Sequence, residues 1–281
     1  GLVQVEELGT LETPIALTNT LNVGKVWDAM VDIVVEQCEQ DGLEPMSINP
    51  VGGECNDSRI NQIQKRVVGA DEVRQAFASA SEEFEEGDVG AGAGTICYGL
   101  KGGIGSASRV IRIGEKEYTI GVLVQSNFGA TEDFVLNGES VGAKILDWKQ
   151  EKDDMAASEE DKGSIMSILA TDLPLTSRQL RRILRRTGVG IARTGGYTGH
   201  GSGEVMIGFT TANRIPSGAE EELLQIQAIP EHVINRAFLA AAEAEQEAIL
   251  NSMTAAERTR GQAGELYYSL SEYLEDQDSK Q

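Results

Sequence analysis

The sequence predicts an α+β layered fold. Stretches of strand-like apolar character stand beside stretches of helical period, and the two are mixed without a regular strand–helix–strand rhythm. A third observation is glycine: 32 of 281 residues, against only 5% aromatics, which calls for tight turns and close backbone approaches between layers. A chain of this length buries a substantial core, and 40% hydrophobic with 25% charged residues is ordinary for a globular protein.

"LNVGKVWDAMVDIVVEQCEQDG" places Val23, Val26, Met30, Ile33, Val34 and Cys38 at helical spacing and ends near Gly42. Residues 59 to 84 read as a second, weaker helical region. From Gly87 to Gly105, eight of nineteen residues are glycine. "RVIRIGEKEYTIGVLVQSNFG" reads as a hairpin, with strands near 108–113 and 117–125 about a turn at Gly114–Lys116. A charged stretch, Lys149 to Lys162, is the one linker-like segment, and "SIMSILAT" after it is a strand. "LTSRQLRRILRRTG" is a helix with capping-box spacing at Thr176 and Gln179 and a stop at Gly188. Its arginines make a solvated, ion-paired face rather than a basic patch. "EVMIGFTTA" is a further strand, Glu231 to Thr259 an Ala/Glu-rich helix or helix pair, and the residues after Leu274 are expected to fray.

Composition excludes several function classes. A net charge of −21 opposes nucleic-acid binding, which needs cations to neutralise phosphates. No apolar run reaches bilayer length. Three scattered cysteines (Cys38, Cys55, Cys97) suggest no disulfide framework, and with two histidines they offer no metal-ligand cluster. Buried, reduced thiols point to a cytoplasmic protein, and no metal or organic cofactor is expected.

Four places carry candidate chemistry. The glycine-rich stretch has P-loop spacing at Gly94 and Gly99, but Leu100 stands where lysine is needed, and GxGxxG also fails; close backbone packing is the better reading. In "TGHGSGEVMIGF", Ser202 and Glu204 are two apart at a strand entry and so face one side. They either orient a third polar group or form a solvated turn; His200 beside them has no identifiable partner. Asn127 ends a hydrophobic strand, where a carboxamide N–H either donates to an oxyanion or closes a turn. Ser164, behind Gly163, stands between the charged stretch and a buried strand. Either a loop simply ends there, or the chain is cut and Ser164 becomes a catalytic amino terminus.

In order along the chain, "PIALTNTLNVGKVWDA", "GAGAGTICYGLKGGIGSASR", "IGVLVQSNFG", "GSIMSILATDLPL", "RTGVGIARTGG" and "SGEVMIGFTTA" resemble the L-aminopeptidase D-amidase/D-esterase family, which includes the β-peptidyl aminopeptidases. The resemblance spans most of residues 8 to 250. It implies a four-layer αββα sandwich and a self-processing hydrolase with an N-terminal nucleophile, over residues 1–281 as one domain. Cleavage would fall at Gly163–Ser164, giving subunits 1–163 and 164–281, with glycine allowing a strained backbone at the cut. Ser164 would then be the nucleophile, its own α-amine the base, Ser202 and Glu204 the groups beside that amine, and Asn127 the oxyanion donor. "PVGGECNDSRIN" matches the family's substrate-pocket stretch, making Glu54, Cys55 and Asn56 pocket residues, with Glu54 suited to an ammonium. Cys55 replaces an aromatic residue frequent there. Family members also carry a further segment before the block at Leu8–Asn19.

The resemblance implies a serine aminopeptidase that acts on short peptides, amides or esters through an acyl-enzyme on Ser164, and a homo-oligomer of processed subunit pairs. Two rivals stand beside it. One is a same-fold acyltransferase resembling ornithine acetyltransferases, which use threonine in a different flanking block. The other is a non-catalytic scaffold or binding protein that is never cleaved.

Overall fold

The computed structural model describes residues 1–152, 162–216 and 222–280. After a short helix α1 (Leu2–Leu8), strand β1 (Ile15–Asn19) leads through α2 (Val23–Gln40) to β2 (Val51–Cys55), which pairs with β1 in parallel. Along α2 the predicted spacing buries Val26, Ala29, Met30 and Ile33, which pack with Ala16 of β1 and Val73 of α3 (Ala70–Ser79). The expected hairpin follows as β3 (Gly103–Ile113) and β4 (Lys116–Asn127). α4 (Gly142–Glu151) precedes β5 (Lys162–Thr171). Then come α5 (Ser177–Leu184), α6 (Thr187–Arg193), β6 (Gly201–Thr210), the long α7 (Asn235–Thr254) and α8 (Leu270–Ser279).

Strands β6, β5, β4 and β3 form one sheet in that order, with β6/β5 parallel and the other pairs antiparallel. One face of this sheet meets α7 across a core of Ile165, Leu169, Val122, Val124 and Ile249. The other face meets β1 and β2 through Met166, Ile207, Val51 and Cys55. Helices α2 and α3 cover the far side of that pair. The result is the helix–sheet–sheet–helix stack of an α+β protein. Among the described residues no helix is long and apolar enough to cross a membrane.

Several expectations are corrected. Two strand–helix–strand units are present, β1–α2–β2 and β5–α5/α6–β6. β2 was hidden by its glycines; a Cβ at Gly53 would press on the flexible end of Met166 from the facing sheet and on Leu17 Cδ2 at 3.0 Å. Between 59 and 84 only Ala70–Ser79 is α-helical. The arginine helix does not stop at Gly188. It breaks at Arg185–Arg186 and resumes as α6, whose Gly190 lies so near α7 that a Cβ would meet Ala242 O at 2.6 Å. Arg178 and Arg182 pair with Glu231, as a solvated face should. The carboxyl-terminal residues are helical rather than frayed. Ser269 and Glu272 form a capping box at 3.0 and 3.1 Å, and Lys152 and Lys280 bond Asp276. Lys149 is not in a solvated run; it is buried in α4 with Nζ donating to Gly99 O. Residues 153–161, the remainder of the charged stretch before Lys162, lie outside the described residues.

One carboxyl group sits inside the core. Glu245 of α7 is fully buried against β5, its Oε1 accepting from Ser167 Oγ at 2.5 Å. Burial raises its pKa to about 8, with the Ser167 bond acting weakly the other way. The folded state therefore keeps a proton that the unfolded chain loses near pH 4.5, so stability falls as pH rises from about 4.5 to about 8 and then levels. Glu245→Gln should flatten this slope: urea midpoints at pH 5 and pH 8.5 should differ less in the variant than in the wild type.

Candidate active site

The site is assembled by strand register. In β5, Ser164 lies opposite Asn127 of β4 on one side and opposite Gly203 of β6 on the other. Ser202 then lies opposite Gly163, and Glu204 opposite Ile165, so the two flank the Gly163–Ser164 peptide bond along the neighbouring strand. Alternation along a strand puts Ser202 and Glu204 on the face opposite the Ser164 side chain. They are thus neighbours of the backbone at Ser164 rather than of its hydroxyl. Ser202 Oγ is buried and has no hydrogen-bond partner among the described residues.

Gly163 is required by space. Its φ is not among the positive values, so left-handed strain is not what it supplies. A Cβ there would stand 1.9 Å from Asn127 O. Only a residue without a side chain lets β5 pair with β4 this closely beside Ser164.

Asn127, 7% exposed, is held at both ends. Its Oδ1 accepts from Ile96 N at 3.0 Å and its Nδ2 donates to Asn56 O at 3.1 Å. A backbone N–H can only donate and a carbonyl only accept, so these partners fix which way the carboxamide faces. The Ile96 amide belongs to the glycine-rich stretch, whose glycines serve close packing. A Cβ at Gly92 would meet Ile104 N at 2.5 Å, and one at Gly102 would meet Ser126 O at 2.4 Å.

The three residues expected to line a pocket sit at the end of β2, where this strand crosses β5. Glu54 is half-buried and accepts a hydrogen bond from Thr20. Cys55 is fully buried, with Sγ 3.6 Å from both Ser164 O and Gln125 O. Burial, the largest cause, pushes its thiol up to about 12, so it stays a neutral donor. Asn56 is exposed, and its carbonyl oxygen meets Asn127. His200 is exposed in the loop before β6.

Sequence reasoning missed a polar cluster next to these residues. Asp57 Oδ2 accepts from Asn19 Nδ2 at 3.1 Å and Asn61 Nδ2 at 2.9 Å, and Asn22 Nδ2 donates to Asn19 Oδ1 at 2.6 Å. "TNTLN" and "ECND" contain the signal, but only pairing of β1 with β2 brings them together. A cavity of about 780 Å³ opens between β1 and helices α2 and α3, with Asn19 and Asp57 at its polar end; Ser164 does not line it.

In the helix–sheet–sheet–helix stack, Ser164, the third residue of β5, is held between Asn127 of β4 and the Ser-x-Glu start of β6. Comparison with known proteins gives the assignment. The model of Peptidase family S58 matches residues 1–267. The β-peptidyl aminopeptidase BapA of Sphingosinicella xenopeptidilytica is 36% identical over 269 residues, 93% of this chain and 67% of its own. A Pyrococcus horikoshii OT3 protein superposes with a TM-score of 0.88 at 45% identity, over 98% of this chain and 75% of that one. The L-aminopeptidase D-Ala-esterase/amidase of Ochrobactrum anthropi, described as a prototype for the serine aminopeptidases and a variant of the Ntn hydrolase fold, has a TM-score of 0.88. It is 34% identical, over 98% of this chain and 76% of its own. The chain belongs to peptidase family S58 and is a serine aminopeptidase.

Burial sets thiol reactivity. Cys55 and Cys97 are both fully buried with thiols pushed up to about 12, whereas Cys38 is half-buried. At pH 8 a maleimide should modify only Cys38 in folded protein, and all three thiols after denaturation, as counted by intact mass.

Proposed function

We propose that the chain cuts itself between Gly163 and Ser164 and that the freed Ser164 is the nucleophile of an aminopeptidase acting on short peptides, amino-acid amides or esters. The observation that carries this reading is the register, with Ser164 between Asn127 and Gly203 and with Ser202 and Glu204 flanking the Gly163–Ser164 bond. In the uncut chain Ser164 Oγ attacks the Gly163 carbonyl carbon, and the C–N bond breaks as the nitrogen takes up the hydroxyl proton. Water then hydrolyses the resulting ester. This leaves a carboxylate on Gly163, a free α-amine on Ser164, and subunits 1–163 and 164–281.

In turnover the α-amine, with a reference pKa of about 7.7–8.0, takes the Oγ proton as Oγ attacks the substrate carbonyl. Departure of Gly163 vacates the place opposite Ser202, so the new amine is the partner that the orphaned Ser202 hydroxyl lacks. Glu204, one pair further on, stabilises the protonated amine by charge. Asn127 donates its second Nδ2 hydrogen to the oxyanion. Glu54 and Asn56 meet the substrate, Glu54 offering a carboxylate to its ammonium, and Cys55 ties the β2 edge of the pocket to Ser164 O. Names of relatives suggest β-amino-acid as well as α-amino-acid substrates. Processed subunit pairs are expected to assemble further, in the cytoplasm, where three unpaired cysteines are stable. No observation favours the acyltransferase or the scaffold reading.

Two measurements test the proposal. Intact mass of the wild type should give two fragments meeting at Gly163–Ser164, and Ser164→Ala a single, inactive chain; a Ser164→Ala protein still cut before residue 164 would sink it. Glu204→Gln keeps the size of the side chain and removes its charge. It should lower kcat by about 10²-fold, the scale of a positioned acid–base partner. Wild-type turnover in that variant would return Glu204 to a structural role.

A further inference from the structure

A buried lysine lies directly behind Asn127, and the mechanism above does not use it. Lys101 is fully buried on a two-residue strand, Leu100–Lys101, paired with Ile96–Cys97. Its Nζ donates to the carbonyl oxygens of Gly92, Thr95 and Gly102 at 2.8, 3.1 and 2.7 Å. An ammonium has three hydrogens and here finds three acceptors, which is what makes its burial tolerable.

The Thr95 carbonyl and the Ile96 N–H are the two ends of one peptide unit. The Lys101 ammonium at 3.1 Å and the Gly102 N–H at 3.0 Å together hold the first end, and the second donates to Asn127 Oδ1 at 3.0 Å. The far end of the carboxamide, Nδ2, gives one hydrogen to Asn56 O and keeps its second. A continuous chain therefore runs from ammonium to peptide to carboxamide, ending beside Ser164 in the register. Each donor in such a chain polarises the next, and in a dry interior this strengthens the bond that orients Asn127.

We propose that Lys101 is a positioning residue for the oxyanion donor: its ammonium fixes and polarises the Thr95–Ile96 peptide, which in turn fixes the Asn127 carboxamide. The inference rests on the reading of Asn127 given above. Burial holds the Lys101 pKa down to about 8, while Asp88 and Cys97, the ionisable groups that act on it, raise it. The charged form therefore predominates at neutral pH and is lost above it.

A double-mutant cycle on processed enzyme separates positioning from general support, with alanine p-nitroanilide as substrate. Asn127→Ala should lower kcat by about 10²–10³-fold. Lys101→Met should lower kcat about tenfold or more with KM changed less than about threefold, and should add nothing in the Asn127→Ala background. An equal loss in both backgrounds overturns the role of Lys101 while leaving that of Asn127 intact. Wild-type kcat in Asn127→Ala removes the oxyanion reading itself. Where Lys101→Met does not fold, the pH profile decides with Lys101 untouched. Wild-type kcat should decline above about pH 8, and this decline should be missing from Asn127→Ala. An identical decline in both proteins, or none in the wild type, overturns the proposal.

Discussion

The pairing of β5 with a neighbour on each side is the constraint from which the rest of the site follows. A serine at the start of an edge strand could swing through many rotamers and backbone states. Ser164 instead has Asn127 across one ladder and Gly203 across the other, so its backbone is fixed before any chemistry begins. That pairing is possible only because Gly163 has no Cβ to strike Asn127 O. The same ladders carry Ser202 and Glu204 to the peptide bond. Their place is set by a parallel pairing that the α5–α6 crossover makes possible.

How much of this was legible in the sequence depends on whether a signal was local. The α2 stripe, the β3–β4 hairpin, the Thr176–Gln179 cap and the strands after Ser164 and Ser202 all declare themselves within a dozen residues. Gly188 looks in one dimension like a helix stop, yet α6 runs through it and brings Gly190 against α7, where a Cβ would strike Ala242 O. Ser269–Glu272 had the spacing of a capping box and still went unread beside an acidic, polar tail. At the site, Ser164, Asn127, Ser202 and Glu204 were read from ordered blocks resembling a family. Nothing local links them, since residue 127 and residue 204 meet only through β5.

Lysines 101 and 149 show why buried charge is the hardest feature to read from a sequence. Lys101 satisfies its ammonium with three backbone carbonyls of the glycine-rich stretch, and Lys149 donates to a fourth, Gly99 O. No acidic residue at a telling spacing marks them, and composition alone assigns lysine to the surface. A glycine-rich segment is entropically expensive to order and has few side chains with which to pack. Carbonyls gathered onto a lysine from within supply the cross-links that side chains would otherwise provide. An N–H turned outward toward Asn127 is then as well fixed as one in a regular sheet.

The replacement at Cys55 takes on a specific meaning in this setting. The side chain lies between two strand carbonyls, Gln125 O and Ser164 O, at the crossing of β2 with β4 and β5. A thiol that stays protonated fits the gap and donates weakly to the carbonyl of the serine it faces. Its contribution is then to the placement of the Ser164 backbone, between Glu54 and Asn56 in sequence. Glu54 already accepts from Thr20, which restrains its carboxylate from the β1 side and leaves its remaining lone pairs for a cation.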